Sequence, residues 1–79
     1  MLKRISIGLE LNESNNYDDL ARRLRHHGAT IVLPMQWMLQ TSLTAEDIRK
    51  DVQAYLGPAD RLLVTQVTSM SFRNLIDDN

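Results

Sequence analysis

The sequence predicts an α+β domain, with two helices covering one face of an antiparallel sheet in the order β-α-β-β-α-β. Three observations predict it: an alternating apolar pattern near the start, two amphipathic patterns that each end at a glycine, and β-rich runs after each of them. A chain of 79 residues has room for one hydrophobic core. We therefore expect one domain, 1–79, with a core of about residues 3–67 and a tail of residues 68–79.

The first strand is expected over residues 3–11. Apolar residues alternate there with polar or small ones, which is typical of a strand with one buried face. Ile5 and Ile7 belong to the apolar set, and Arg4 and Glu10 to the other. The alternation predicts that Arg4 and Glu10 point away from the helices.

The stretch YDDLARRLRHHG predicts the first helix, because its apolar residues recur at helical spacing. Asn15 or Asn16 can cap its start, and Gly28 suits the residue just beyond its end. The following β-rich run contains Pro34, which cannot donate a ladder hydrogen bond. We therefore predict two strands, over residues 30–33 and 37–41, joined near Pro34.

The stretch LTAEDIRKDVQAYLG predicts the second helix, with Thr44 as N-cap and Asp47 as its capping-box partner. Gly57 and Pro58 end this helix. The run RLLVTQV, residues 61–67, predicts the fourth strand. The tail carries further apolar residues and is expected to add a short fifth strand or a hook.

The second and fourth strands are apolar on both faces, with Val32 and Leu63 pointing away from the helices. Two helices cover only one face of a sheet, so the other face needs a cover or becomes an exposed apolar patch. A second copy of the chain is the simplest cover in so small a protein. We therefore expect a homodimer to whose assembly the tail contributes. Its expected interface residues are Glu10, Val32, Trp37, Leu63 and Phe72.

The element order is that of the ferredoxin-like fold, and residues 4–67 resemble one branch of its members. The stretches that carry the likeness are GLELN, YDDLARRLRHHGA, WMLQTSLTAEDIRKDVQAYL and GPADRLLVTQV. They resemble the SinR-type branch of the superfamily that includes the second universal CRISPR-associated protein, the small subunit of the spacer-integration complex, and VapD-type ribonuclease toxins. This resemblance also implies a homodimer.

The resemblance draws attention to Glu10. In active members of the superfamily an aspartate of the first strand, one from each subunit, is proposed to hold a divalent metal near the two-fold axis. The matching position here is Glu10, preceded by Leu9 instead of the family's tyrosine. Glutamate also ligates magnesium, so Glu10 is the candidate metal ligand and catalytic residue of a Mg²⁺-dependent nuclease. The alternative is a structural carboxylate paired with Arg4 or Arg61.

The first helix is rich in basic residues. Asp18 and Asp19 precede Arg22 and Arg23 by four positions, which favours ion pairs within the helix. Arg25 and the two histidines lack such a partner. Arg22, Arg25 and His26 lie on the solvent side of the helix and form a candidate nucleic-acid contact. The first strand lacks the aromatic residues of an RNA-recognition platform. Trp37 is therefore expected in the core or in the dimer interface.

Composition narrows the function classes. The chain has no cysteine, which excludes disulfides and thiolate metal sites, and its net charge of −1 gives no general attraction for nucleic acid. Its start lacks a secretory-signal pattern, and no run has the ~20 apolar residues of a membrane span. We expect a cytoplasmic, non-catalytic homodimeric module without a cofactor that assembles with nucleic acid or a protein partner. The alternatives are the endoribonuclease using Glu10 and a purely structural assembly protein.

Overall fold

A computed structural model describes residues 1–12 and 17–76, and within these ranges the chain forms four strands and two α-helices. The elements are β1 (Lys3–Glu10), α1 (Tyr17–His26), β2 (Thr30–Leu33), β3 (Gln36–Thr41), α2 (Ala45–Val52) and β4 (Arg61–Gln66), with a one-turn 3₁₀ helix, Gln53–Tyr55, after α2. The predicted α+β order is confirmed. Each boundary lies within a few residues of the prediction.

The strands form one antiparallel sheet in the order β2-β3-β1-β4. Each helix therefore joins two strands that have a third strand between them, which is the arrangement of the ferredoxin-like fold. Both helices pack on the same face of the sheet. The opposite face, here called the open face, presents Arg4, Ser6, Gly8 and Glu10 of β1.

The hydrophobic core lies between the helices and the sheet. Alternation along β1 and β3 sends every second side chain into it, and the helical spacing of α1 and α2 supplies the opposing surface. Its largest fully buried side chains are Ile5, Ile7, Leu20, Leu24, Trp37, Ile48 and Val52. The core thus contains residues from both helices and from the two central strands.

The helix ends follow the predicted chemistry. The Thr44 hydroxyl accepts a hydrogen bond from the Asp47 N–H, and the Asp47 carboxylate accepts one from the Thr44 N–H, each at 3.1 Å. The Thr44 N–H also holds the pKa of Asp47 below its ordinary value. Gly28 has φ 88° just after α1, a conformation that glycine adopts without strain. The predicted caps Asn15 and Asn16 lie outside the described residues.

A two-residue turn, Pro34 and Met35, joins β2 to β3. Met35 has φ 59°, and its carbonyl accepts a hydrogen bond from the Leu9 N–H at 3.0 Å. The ladder between β2 and β3 shifts register between Ile31 and Leu33. Val32 is therefore an extra residue in the edge strand, and it does not belong to the helix-side core cluster.

The tail crosses the open face. The Val67 N–H donates to the Arg4 carbonyl at 2.8 Å, and the Ile76 N–H donates to the Val32 carbonyl at 2.9 Å, so the segment runs from the centre of the sheet to its far edge. Residues 67–76 contain neither helix nor strand, so this part of the tail is a hook and not a fifth strand. The tail covers part of the open face, which was predicted to be covered by a second copy of the chain.

Candidate interaction surface

The described part of the tail, which ends at Ile76, does not cover the half of the open face near the β2–β3 turn. Leu33 lies opposite Gln36, Gln36 opposite Gly8, and Gly8 opposite Leu63, so the four form one row across the whole sheet. We call it the open-face row. Leu63 is 66% exposed and Leu33 is 42% exposed. The row therefore has an exposed aliphatic side chain at each end. Between them lie Gln36 and Gly8, and Gly8 has no side chain.

Gly8 makes the centre of the row low. A side chain at this position would have room, because the nearest atom to a Cβ there would be the Leu63 carbonyl oxygen at 4.0 Å. The glycine is therefore not required by packing within the protomer. Its effect is a shallow depression beside Leu63, where no side chain rises from the sheet.

A pair of opposite charges borders the row. Glu10 and Arg61 are cross-strand neighbours on β1 and β4, and Arg61 Nε donates to Glu10 Oε1 at 3.1 Å. Arg61 is one of the two partners predicted for Glu10. Both side chains are exposed, so their attraction is screened by water and contributes little stability. The pair gives this edge of the surface adjacent positive and negative charges.

The structure does not surround Glu10 with other metal ligands. Among the described residues, no group of three or more His, Asp and Glu side chains lies close enough together to hold a metal ion. A magnesium site usually combines carboxylates with waters and substrate phosphates. In the protomer Glu10 therefore has the chemistry of an ion-pair partner, and metal binding there would need ligands from outside the described residues.

The five residues expected at the dimer interface fall into two groups. Glu10, Leu63 and Phe72 are exposed and available to a partner. Trp37 is 1% exposed and lies in the core, one of the two locations predicted for it. Val32 is 4% exposed and lies on the side of the sheet that the tail covers. In this conformation neither Val32 nor Trp37 offers surface to a second chain.

Arg25 and Trp37 interact across the helix-side layer. The Arg25 guanidinium lies over the Trp37 ring, 5.3 Å from its centroid, which is within the range of a cation–π contact. The Trp37 indole N–H is buried and has no hydrogen-bond partner among the described residues. Arg25 therefore helps to cover a core residue, which reduces its availability as a phosphate contact.

The other basic residues of α1 differ from the predicted pairing. Arg22 donates to Asp19 at 2.9 Å, at a spacing of three residues. Arg23 does not pair with Asp19 four residues before it; it donates through Nε and Nη2 to Asp51 of α2, at 2.7 and 3.1 Å. The packing of α1 beside α2 brings that carboxylate within reach. Of the candidate nucleic-acid contacts, Arg22 is thus paired and His26 is exposed.

Asp51 is the centre of a cluster that the sequence analysis missed. Its Oδ2 atom lies 2.6 Å from His27 Nε2, in addition to the two bonds from Arg23. Hydrogen bonds from Arg23 first and His27 second lower the pKa of Asp51 to about 2, and the same bond to Asp51 raises the pKa of Arg23. The cluster links α1 to α2. Its members are 24 and 28 positions from Asp51, which local spacing rules do not address.

A cleft remains between the tail and the sheet, with a volume of about 710 Å³. We call it the tail cleft. Side chains of the sheet form one wall and apolar side chains of the tail form the other. The residues that line the cleft include Arg4, Val32, Met38, Gln40, Met70 and Phe72.

Comparison with known proteins finds no matching family model, no matching curated protein and no matching solved structure. Among the described residues, no helix is both long and apolar enough to cross a membrane.

Proposed function

We propose that this chain is a small non-catalytic module that forms a homodimer through the open-face row and acts by assembly with nucleic acid or a protein partner. The observation that carries the proposal is the exposure of Leu63, 66% of whose surface is open to solvent on a sheet face without helices. Contiguous exposed apolar surface marks interaction sites. Leu33, at the other end of the row, is a second exposed leucine on the same face, separated from Leu63 by Gln36 and Gly8.

A second copy fits this surface because the surface is self-complementary. In a two-fold dimer the same patch meets itself. Glu10 and Arg61 are adjacent, so a two-fold axis passing between them brings each charge of one copy opposite the other charge of its partner. Leu63 projects beside the depression at Gly8, so each copy offers both a side chain and a place to receive one.

The arginines of α1 are engaged in contacts within the protomer, which bears on the choice of further partner. Arg22 is paired with Asp19 and Arg23 with Asp51, while Arg25 stacks on Trp37. Phosphate binding on α1 would have to compete with these contacts, so they favour a protein partner over nucleic acid. The resemblance to the SinR-type branch supports a homodimer. The proposed setting is the cytoplasm, because small secreted domains are commonly held by disulfides and this chain has no cysteine.

The test of the dimer is the mass in solution. Light scattering after size exclusion should give twice the 9.1 kDa of the chain at micromolar concentration. Leu63→Asp should give the monomer mass, and at a concentration where the wild type is also monomeric it should unfold like the wild type, since this side chain lies outside the core. Leu43→Asp is the matched control, because Leu43 is an exposed leucine in the loop before α2, and it should remain dimeric.

The outcome that contradicts the dimer is a wild-type chain with the mass of one protomer. Equal dissociation of Leu63→Asp and Leu43→Asp would instead exclude the open-face row as the interface. Val32→Lys is a poor probe of association, because Val32 is 4% exposed and a buried lysine disturbs the protomer itself.

A further inference from the structure

The tail cleft has the volume of a small-molecule site and shares no lining residue with the open-face row. Its volume of about 710 Å³ lies within the roughly 300–1,000 Å³ typical of ligand sites. Val32 and Met38 line it from the sheet, and Met70 and Phe72 line it from the tail. Apolar side chains of both the sheet and the tail therefore line the cleft, together with polar residues of the sheet.

Among the described residues that line the cleft, Arg4 is the charged one. Arg4 and Gln40 are cross-strand neighbours on β1 and β3, and both line the cleft. No acidic residue is among the lining residues that the structure describes, and Arg4 forms no ion pair with a described carboxylate. A guanidinium with a neighbouring amide donor selects a carboxylate over a neutral or cationic group.

The walls favour a flexible ligand. Met38 and Met70 are unbranched, polarizable side chains that adjust to irregular apolar shapes. The tail wall is held by one backbone hydrogen bond at Val67 and another at Ile76, with no helix or strand between them. Such a wall can adapt to a hydrocarbon chain more readily than it can form a rigid slot for a planar ring.

We propose that the tail cleft binds a single-chain amphipathic carboxylate. The carboxylate contacts Arg4 and Gln40, and the hydrocarbon chain lies between Met38 on the sheet and Met70 on the tail. The site is separate from the open-face row, so the inference goes beyond the proposed dimer and does not depend on it.

The test uses the methyl signals of the four methionines and dodecanoate below its critical micelle concentration. Met38 and Met70 line the cleft, so their methyl resonances should shift and saturate during the titration. Met1, at the exposed end of the chain, and Met35, in the turn beside the open-face row, should not shift. Met35 thus distinguishes the cleft from adsorption of the chain to exposed Leu33.

Two comparisons test the role of charge. Dodecyltrimethylammonium, with the same hydrocarbon chain and the opposite charge, should not produce the saturating shifts of Met38 and Met70. Arg4→Gln should weaken dodecanoate binding by about tenfold or more, as expected for loss of a charge-assisted hydrogen bond. Arg22→Gln is the matched control on α1 and should bind like the wild type.

Leu63→Asp should also bind dodecanoate like the wild type, whether or not it dimerises. The proposal is overturned if Met38 and Met70 do not shift, or if all four methyl signals shift together. It is equally overturned if the ammonium amphiphile binds as tightly as dodecanoate, a result that requires no variant to fold.

Discussion

The two faces of the sheet are made by alternate residues of the same strands, yet they are covered in different ways. On the helix face, Ile5 and Ile7 are completely buried under α1 and α2. On the open face, Val32 is buried under the tail while Leu63, on the other edge strand, is largely exposed. One face is closed by regular elements, and the other is half closed by an irregular segment that leaves a cleft.

This difference separates stability from recognition. Close packing on the helix face means that each buried methyl group contributes to the free energy of unfolding. The open face has few such contacts, so its exposed side chains contribute little until another molecule covers them. Substitutions on the two faces should therefore affect different measurements.

The largest effect is expected at Ile7 on the helix face. Ile7→Ala should lower the free energy of unfolding by about 2–5 kcal/mol, because it removes buried methyl groups and leaves a cavity. Leu63→Ala on the open face should change it by less than about 0.5 kcal/mol in the monomer. Urea unfolding at a concentration where the chain is monomeric measures both. Equal losses for the two variants would contradict the assignment of stability to one face.

The tail should contribute the next largest amount. A chain that ends at Val67 uncovers Val32, and exposing one such buried side chain costs about 1.5–3 kcal/mol. A chain that ends at Ile76 keeps both backbone anchors of the tail and should unfold like the full chain. Equal stability of all three would show that the tail does not protect the sheet. The masses of the same proteins test the expected contribution of the tail to assembly.

The regular elements were predictable from sequence because they depend on neighbouring residues. Period-two alternation located β1, helical spacing located α1, and the reciprocal bonds of Thr44 and Asp47 start α2 as a capping box should. Gly28 took the predicted left-handed conformation. Each of these features is determined within a few residues of chain, which is the range over which spacing rules apply.

The features that were missed depend on contacts between distant residues. No local pattern in the tail specifies that the Ile76 N–H reaches the Val32 carbonyl. The path of the tail over the sheet therefore cannot be predicted from neighbouring residues. Arg23 was assigned to Asp19 because that spacing is favourable within a helix, whereas Asp51 became its partner through the packing of α1 beside α2. The candidate site was therefore only partly predictable: Glu10 and Leu63 were placed on the open face, but the burial of Val32 was not foreseen.

The third prediction concerns Asp51, which ties together the two helices above the core. Its pKa is about 2 in the folded chain and 3.8 ordinarily, so the charged form is favoured by folding. The contribution is fully present above pH 3.8 and is lost as the pH falls through about 2. Because the carboxylate is partly solvated, we expect Asp51→Asn to cost about 1–2 kcal/mol at neutral pH.

Urea unfolding at a series of pH values measures this effect. The difference between wild type and Asp51→Asn should shrink as the pH falls through this acid range. Asp19→Asn is the matched control, because Asp19 forms an exposed pair with Arg22 and should cost less than about 0.5 kcal/mol. A difference between wild type and Asp51→Asn that stays constant from neutral to acid pH would contradict the role given to the charged carboxylate.

The smallest effect on stability is expected at Glu10, where the comparison of the faces bears on function. Its pair with Arg61 is exposed on both sides, and such pairs contribute between about 0 and 1 kcal/mol. Glu10→Gln should therefore leave the unfolding transition nearly unchanged. It should also leave activity unchanged if the open face serves assembly, because no group of described His, Asp and Glu side chains completes a metal site around Glu10. Incubation of wild type and Glu10→Gln with labelled RNA and DNA, with Mg²⁺ and with EDTA, decides this point. Cleavage by the wild type that needs Mg²⁺ and disappears in Glu10→Gln would make the open face a catalytic surface and would replace the assembly module with the metal-dependent endoribonuclease.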